Sequence, residues 1–163
     1  PARLPSERPA LGAGELCRLL TAHVVHLDLE HAVLNALGLV MMWALFARDF
    51  SVRHWLLVLG SSLVAIDLAL WVFDPQVRWY VGSSGVLHGV MAAGTLAHLR
   101  RGDLDGSILA RFILGKLASE QWTGALAFEG TTAVVVNSHL YGVIGGSAAA
   151  AILFALNSRG KPR

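Results

Sequence analysis

Long apolar blocks separated by short polar breaks constrain this chain more than any other feature of its sequence. Five such blocks run over 26–46, 54–73, 83–99, 107–122 and 133–156. At a helical rise of about 1.5 Å per residue, blocks of this length cross, or nearly cross, a hydrocarbon layer about 30 Å thick. Backbone polar groups inside such a layer must be satisfied within the segment, which selects helices. The block 107–122 is the least apolar, because Arg111, Lys116 and Glu120 interrupt it. The breaks leave little room for other structure: 74–82 holds a proline, and 100–106 holds four charges and two glycines.

Composition points the same way. With 55% hydrophobic and 15% charged residues, 163 residues cannot coat a soluble domain with polar surface. The expected fold is all-α, a polytopic membrane helical bundle forming one domain over 1–163. Its parts are an interfacial segment 1–25, a bundle 26–156 and a basic cytoplasmic tail 157–163. Membrane lipids are then its first partners. The net charge of +2 is too small and too dispersed for a nucleic-acid partner. A single cysteine, Cys17, rules out an intrachain disulfide and a multi-cysteine metal site in this sequence. Residues 1–15 hold three prolines and no apolar core, so no cleavable signal peptide is expected there.

Five alternating spans place Arg48, Arg53, Arg100, Arg101, Arg159, Lys161 and Arg163 on one side and Arg3, Arg8, Arg18 and Arg78 on the other. Seven against four marks the first side as cytoplasmic. Trp71, Trp79, Tyr80 and Trp122 then cluster at the outer ends, as an aromatic belt would. His54 and His98 fall near the inner ends and read as solvated.

Polar residues gather near the outer face. Ser84 begins the third block, His139 lies about two turns into the fifth, and His31 and Asn35 share a face of the first at i, i+4. A serine protease needs a nucleophile, a base to take its proton and donors for an oxyanion. Taken singly, each feature has an ordinary reading. Gly82-Ser83-Ser84-Gly85 can be small residues at a helix start, His139 a packing histidine, and His31 with Asn35 an interhelical hydrogen-bonding pair. Their common depth favours chemistry, since ionisable groups inside a span are costly. Gly85, Gly89 and Ala93 on one block and Gly142, Gly146 and Ala150 on another form small-residue stripes that bring two backbones together. Gly82, Gly85 and Gly142 also suggest a site that admits small side chains beside Ser84.

These residues carry a resemblance to the rhomboid family of intramembrane serine proteases. His31-Ala32-Val33-Leu34-Asn35 resembles its H-x-x-x-N, Gly82-Ser83-Ser84-Gly85 its G-x-S-G, and His139 with Gly142 and Gly146 its H-x-x-G-x-x-x-G. The resemblance implies Ser84 as nucleophile, His139 as base, a dyad without an aspartate, and an oxyanion site from His31, Asn35 and the Ser84 backbone N–H. It places His88 where many members carry an aromatic that stacks on the base; one turn from Ser84, His88 is also a rival base. No cofactor and no metal are implied. The family's first helix has no counterpart, so the chain is expected to begin in the first loop. There Gly14-Glu15-Leu16-Cys17-Arg18 resembles a W-R motif with Cys17 in place of tryptophan.

Within the family the chain is most similar to rhombosortases, through Thr21–Leu27, Tyr80–Gly89 and 115–121. That implies a transmembrane protein substrate with a C-terminal Gly-Gly sorting tail. It also implies the inner membrane of a Gram-negative bacterium, with the site facing the periplasm.

Asp67 needs a partner inside its span, for which His88 and Lys116 lie at suitable depth, while Lys116 and Glu120 at i, i+4 can pair with each other. Two other functions compete. An inactive client-binding relative would have no use for Ser84 and His139. A metalloenzyme could use His23, His26 and His31, but no H-E-x-x-H is present.

Overall fold

The computed structural model describes residues 5–124 and 135–159, with side chains to 157. It is an all-α bundle. A short strand β1 (Ser6–Glu7) leads into α1 (Arg8–Gly12), α2 (Arg18–Thr21) and a 3-10 turn (Ala22–Val24). Five long helices follow: α3 (Leu29–Phe46), α4 (Val52–Phe73), α5 (Ser84–Arg101), α6 (Leu104–Thr123) and α7 (Asn137–Arg159), with β2 (Trp79–Tyr80) between α4 and α5. The expected start of the fifth span at 133 and the tail beyond 159 lie outside the described residues.

Local chemistry sets the helix ends. Asp28 starts α3 three residues later than the apolar block, because its carboxylate accepts the His31 N–H at 2.8 Å. Ser51 caps α4 by accepting the His54 N–H at 3.4 Å. Gly102, at φ +79°, ends α5 by turning left-handed and donating to His98 and Leu99. The last carbonyls of α4 and the turn after it meet the Arg8 guanidinium, which donates to Leu70 (2.6 Å), Trp71 (2.9 Å), Asp74 (3.1 Å) and Val77 (3.0 Å). A cation at a helix C-terminus is electrostatically favoured. Antiparallel pairing of Ser6 with Tyr80 and Glu7 with Trp79 fastens the same N-terminal segment beside the entry to α5.

α5 is the axis of the bundle. It packs most extensively on α7 and also meets α3, α4 and α6, and twelve of its residues are buried. Small residues make this possible. A Cβ on Gly89 would lie 2.6 Å from the Gly142 carbonyl oxygen, and one on Gly142 would strike the Gly85 carbonyl. Three helical stretches are long and apolar enough to cross a membrane: Leu29–Phe46, Val52–Phe73 and Asn137–Asn157. α5 falls short in apolarity because protein, rather than lipid, surrounds it, so glycine, threonine and histidine are tolerated. α6 falls short because of its charged residues, two of which are turned inward as described below. Outward-facing Leu39, Trp43, Leu68 and Phe73 remain exposed, a surface suited to lipid. The chain is a multi-pass membrane protein.

Candidate active site

Ser84 is the first residue of α5 and His139 lies in the first turn of α7. Glycine contact between these helices brings the two together, with His139 Nε2 3.0 Å from Ser84 Oγ. The other ring nitrogen, Nδ1, is 2.9 Å from Oε1 of Glu120 on α6. An ionised carboxylate only accepts, so Nδ1 carries the proton and Nε2 keeps the lone pair that faces the hydroxyl. Glu120 Oε1 also takes the ammonium of Lys116, one turn earlier on α6.

His88 is not placed as the partner of the Ser84 hydroxyl. Its Nδ1 donates to the Ser84 carbonyl at 2.7 Å, while its ring stacks on His139 at 4.0 Å and 13°. His88, Glu120 and His139 offer ligand atoms within 4.8 Å of one another, enough to raise the question of a metal. Imidazole lone pairs lie in the ring plane, and these two planes are nearly parallel and well separated. An ion in the plane of one ring would miss the other.

Around the start of α5, the Ser84 N–H belongs to the first turn of a helix and has no acceptor within it. Asn35 Nδ2 donates one hydrogen to the His31 carbonyl at 2.9 Å, which leaves its second N–H, and Asn35 Oδ1 accepts from Ser83 at 3.0 Å. His31 packs beneath Gly82, where a Cβ would come within 2.8 Å of the His31 ring, and Gly82 adopts φ +113°. Only glycine meets both demands. His26, ahead of α3, touches His31 edge-on at 5.1 Å. Burial, and then the neighbouring His31, hold its ring below the usual histidine range.

Ser84, His139, His31, Asn35, His88 and Lys116 all line one cavity of about 320 Å³ between α3 and α6, above a floor contributed by α5. Its remaining wall is apolar, with Leu34, Met41, Met42, Leu87, Met91 and Phe112. This revises the expectation that glycines shape a small-residue pocket. Gly142 faces the Gly85 carbonyl and Gly146 the Gly89 carbonyl, while Gly85 faces Ile66 and the Ser138 carbonyl and Gly89 faces Ser62 and the Gly142 carbonyl; none of the four lines the cavity.

Several other expectations change. Asp67 pairs with neither His88 nor Lys116; its partner is His23 at 3.2 Å. His98 is buried rather than solvated, because Asp49 and Asp105 replace water at its two nitrogens. Tyr80 leaves the aromatic belt: it is buried, and its hydroxyl donates to the Gly82 carbonyl at 2.9 Å. In the W-R-like loop Arg18 is buried and donates to Glu15 at 2.8 Å and to the Pro5 carbonyl at 2.9 Å.

The contact missed from the sequence is Glu120 with His139. Its i, i+4 pairing with Lys116 was legible, and a carboxylate within an apolar block was the signal that it has a further use. Ser83 joins α5 to α3 through its bond to Asn35, a contact between helices that the local motif does not show.

Known proteins share this arrangement of sequence. Residues 13–156 match the Rhomboid domain family. The chain is 25% identical over 133 residues to the "Putative rhomboid protease YdcA" of Bacillus subtilis, covering 82% of this chain and 65% of that protein. It is 29% identical over 87 residues to the rhomboid protease GluP of the same organism, covering 53% of this chain and 17% of that protein. The chain thus spans less than two thirds of either relative. No solved structure matches. With a match across nearly all of the bundle, the chain belongs to the rhomboid domain family.

Proposed function

We propose that this chain is an intramembrane serine endopeptidase in which Ser84 is the nucleophile and His139 the general base. The observation that carries the reading is the 3.0 Å approach of His139 Nε2 to Ser84 Oγ at the edge of an apolar cleft. A substrate strand in the cleft presents its carbonyl carbon to Ser84 Oγ. As the C–O bond forms, the hydroxyl proton passes to His139 Nε2. The Ser84 N–H, the second Asn35 N–H and the His31 ring stabilise the oxyanion. His139 then gives the proton to the departing amine, leaving an acyl-enzyme that water hydrolyses by the reverse sequence. Because a base must start neutral, turnover rises with pH through the titration of that base and then levels off. His88 stacks on the base and holds its ring plane. Gly82, Gly85, Gly89, Gly142 and Gly146 set the spacing of the helices that carry these groups.

Sequence 1–163 forms one membrane domain in this reading, with the site toward the outer face, as the distribution of arginine and lysine favours. The substrate is a transmembrane protein cut where its helix is interrupted, since a stable helix keeps its carbonyls in hydrogen bonds. A Gly-Gly tail ahead of an apolar helix and a basic end meets that need, in agreement with the rhombosortase resemblance. The preference rests on backbone exposure, not on a glycine-walled pocket.

The test is to place the protein in membranes with a full-length single-span substrate carrying such a tail and to map products by mass. Cleavage at or beside Gly-Gly, lost in Ser84→Ala and in a Leu-Leu substrate, is expected. A Ser84→Ala protein that cuts at the wild-type rate would overturn the nucleophile. Equal cutting of the Leu-Leu substrate would overturn the tail specificity alone.

A further inference from the structure

We propose that Glu120, held by Lys116, is a positioning residue for His139, so that the site is a Ser84–His139–Glu120 triad rather than a dyad. The inference rests on the serine-protease reading of Ser84 and His139 and adds a member that the family resemblance does not imply.

Glu120 and Lys116 could pair on any helix surface at i, i+4 and contribute little. Here neither side chain is on the surface: exposure is 0% for Glu120 and 10% for Lys116. Burying a carboxylate is unfavourable unless it is paired and hydrogen-bonded. The expense is only partly met, because Glu120 Oε2 is buried with no hydrogen-bond partner among the described residues. Both contacts converge on Oε1 instead, the oxygen that faces His139 Nδ1. An internal ion pair optimised for stability would use both oxygens. One optimised to aim a single oxygen at an imidazole looks like this.

Two consequences follow for the reaction. Accepting from Nδ1–H fixes the tautomer in which Nε2 holds the lone pair, so the base is ready without a ring flip. When Nε2 takes the serine proton, both nitrogens carry hydrogen and the ring is cationic; the adjacent carboxylate stabilises that charge, and no proton needs to move to Glu120. Lys116 supplies a counter-charge to Glu120 inside the bundle. α6 and α7 otherwise touch little, so the Glu120–His139 bond is a principal tie between them at the level of Ser84.

The experiment compares Glu120→Gln and Glu120→Asp with wild type, in the full chain in membranes, by kcat, KM and thermal midpoint. The glutamine has nearly the same shape but can present an amide N–H to Nδ1 and favour the wrong tautomer. Its kcat should fall about 10²–10⁴-fold at unchanged KM, as for loss of an orienting carboxylate elsewhere. The aspartate, which keeps the charge with a shorter reach, should fall between the two. In a His139→Ala background, Glu120→Gln should have no further effect on the residual rate, because its partner is gone. A folded Glu120→Gln protein with wild-type kcat would overturn the proposal, as would an equal loss with and without His139. Should the glutamine variant not fold, the aspartate variant decides: a tenfold or greater loss in kcat at unchanged KM supports the proposal, and wild-type kcat overturns it. Ser84→Ala and His139→Ala run alongside. If they stay active, the protease reading itself has failed; if they are inactive while Glu120→Gln is not, only the triad has.

Discussion

His139 and His98 are both buried and both hydrogen-bonded by carboxylates, yet the geometry equips only one of them to take a proton. At the C-terminal end of α5, His98 Nδ1 faces Asp105 at 2.8 Å and Nε2 faces Asp49 at 2.9 Å. Each nitrogen faces a carboxylate oxygen, so neither is turned toward a hydroxyl. The ring fastens the α3–α4 turn and the start of α6 to α5, with Arg101 joining Asp49 and Asp103 around it. At the N-terminal end of α5, one carboxylate is replaced by a hydroxyl. His139 donates from Nδ1 to Glu120 and offers Nε2 to Ser84. A second carboxylate makes a clamp, whereas a hydroxyl in the same place leaves a base. Burial and the presence of histidine do not distinguish the two sites; the second partner does.

The contrast predicts opposite signatures on substitution. His139→Ala should lower kcat to the level of Ser84→Ala, about 10³-fold or more, with a smaller fall in thermal midpoint than His98→Ala, because it loses one carboxylate partner rather than two. His98→Ala should leave kcat within a few-fold and lower stability instead. Each lost hydrogen bond to a charged group is worth about 1.5–3 kcal/mol. Paired assays of cleavage and thermal unfolding read both effects, and a folded but inactive His98→Ala protein would break the comparison.

Asn35→Ala should come next, with kcat reduced about 10²–10³-fold and binding little changed, as for a donor that acts in the transition state. Since one Asn35 hydrogen is already committed to the His31 carbonyl, the lower end of that range is expected. A rise in KM with kcat intact would make Asn35 a substrate contact.

Gly142→Ala tests how the Ser84 site depends on packing. Its methyl group would meet the Gly85 carbonyl, so α7 must move away from α5 and carry His139 from Ser84. Overpacking of this kind costs about 1–3 kcal/mol. Stability and kcat should fall together. The smallest effect belongs to His88→Phe, which keeps a ring against His139 and should retain kcat within about tenfold; a complete loss would show that the His88 nitrogen takes part.

Much of the fold was legible because lipid leaves few choices. Apolar block length located α3, α4, α5, α6 and α7, and the errors fall at their ends, where caps such as Asp28 decide. The glycine stripes were legible as helix contact, but not their direction. Which neighbour a Gly85 or Gly142 faces depends on rotation about the helix axis, and that moved them from the wall of the site to its frame. Ser84, His139, His31 and Asn35 could be named because their motifs are local. Glu120, His98 and Asp67 could not be paired correctly because their partners lie on other helices, and helix rise gives depth but not azimuth. His98 looked solvated since it sits near a helix end; Asp49 and Asp105 reach it only after two turns of chain fold back.

The central claim is that Ser84 is activated by His139, and covalent labelling tests it without a known substrate. The detergent-solubilised protein is treated with an activated fluorophosphonate, and the adduct is located by intact and peptide mass. One adduct on Ser84 is expected, absent in Ser84→Ala and formed at least tenfold more slowly in His139→Ala, while His98→Ala labels at close to the wild-type rate. An adduct on Ser83, or labelling of Ser84 that is unaffected by loss of His139, would contradict it.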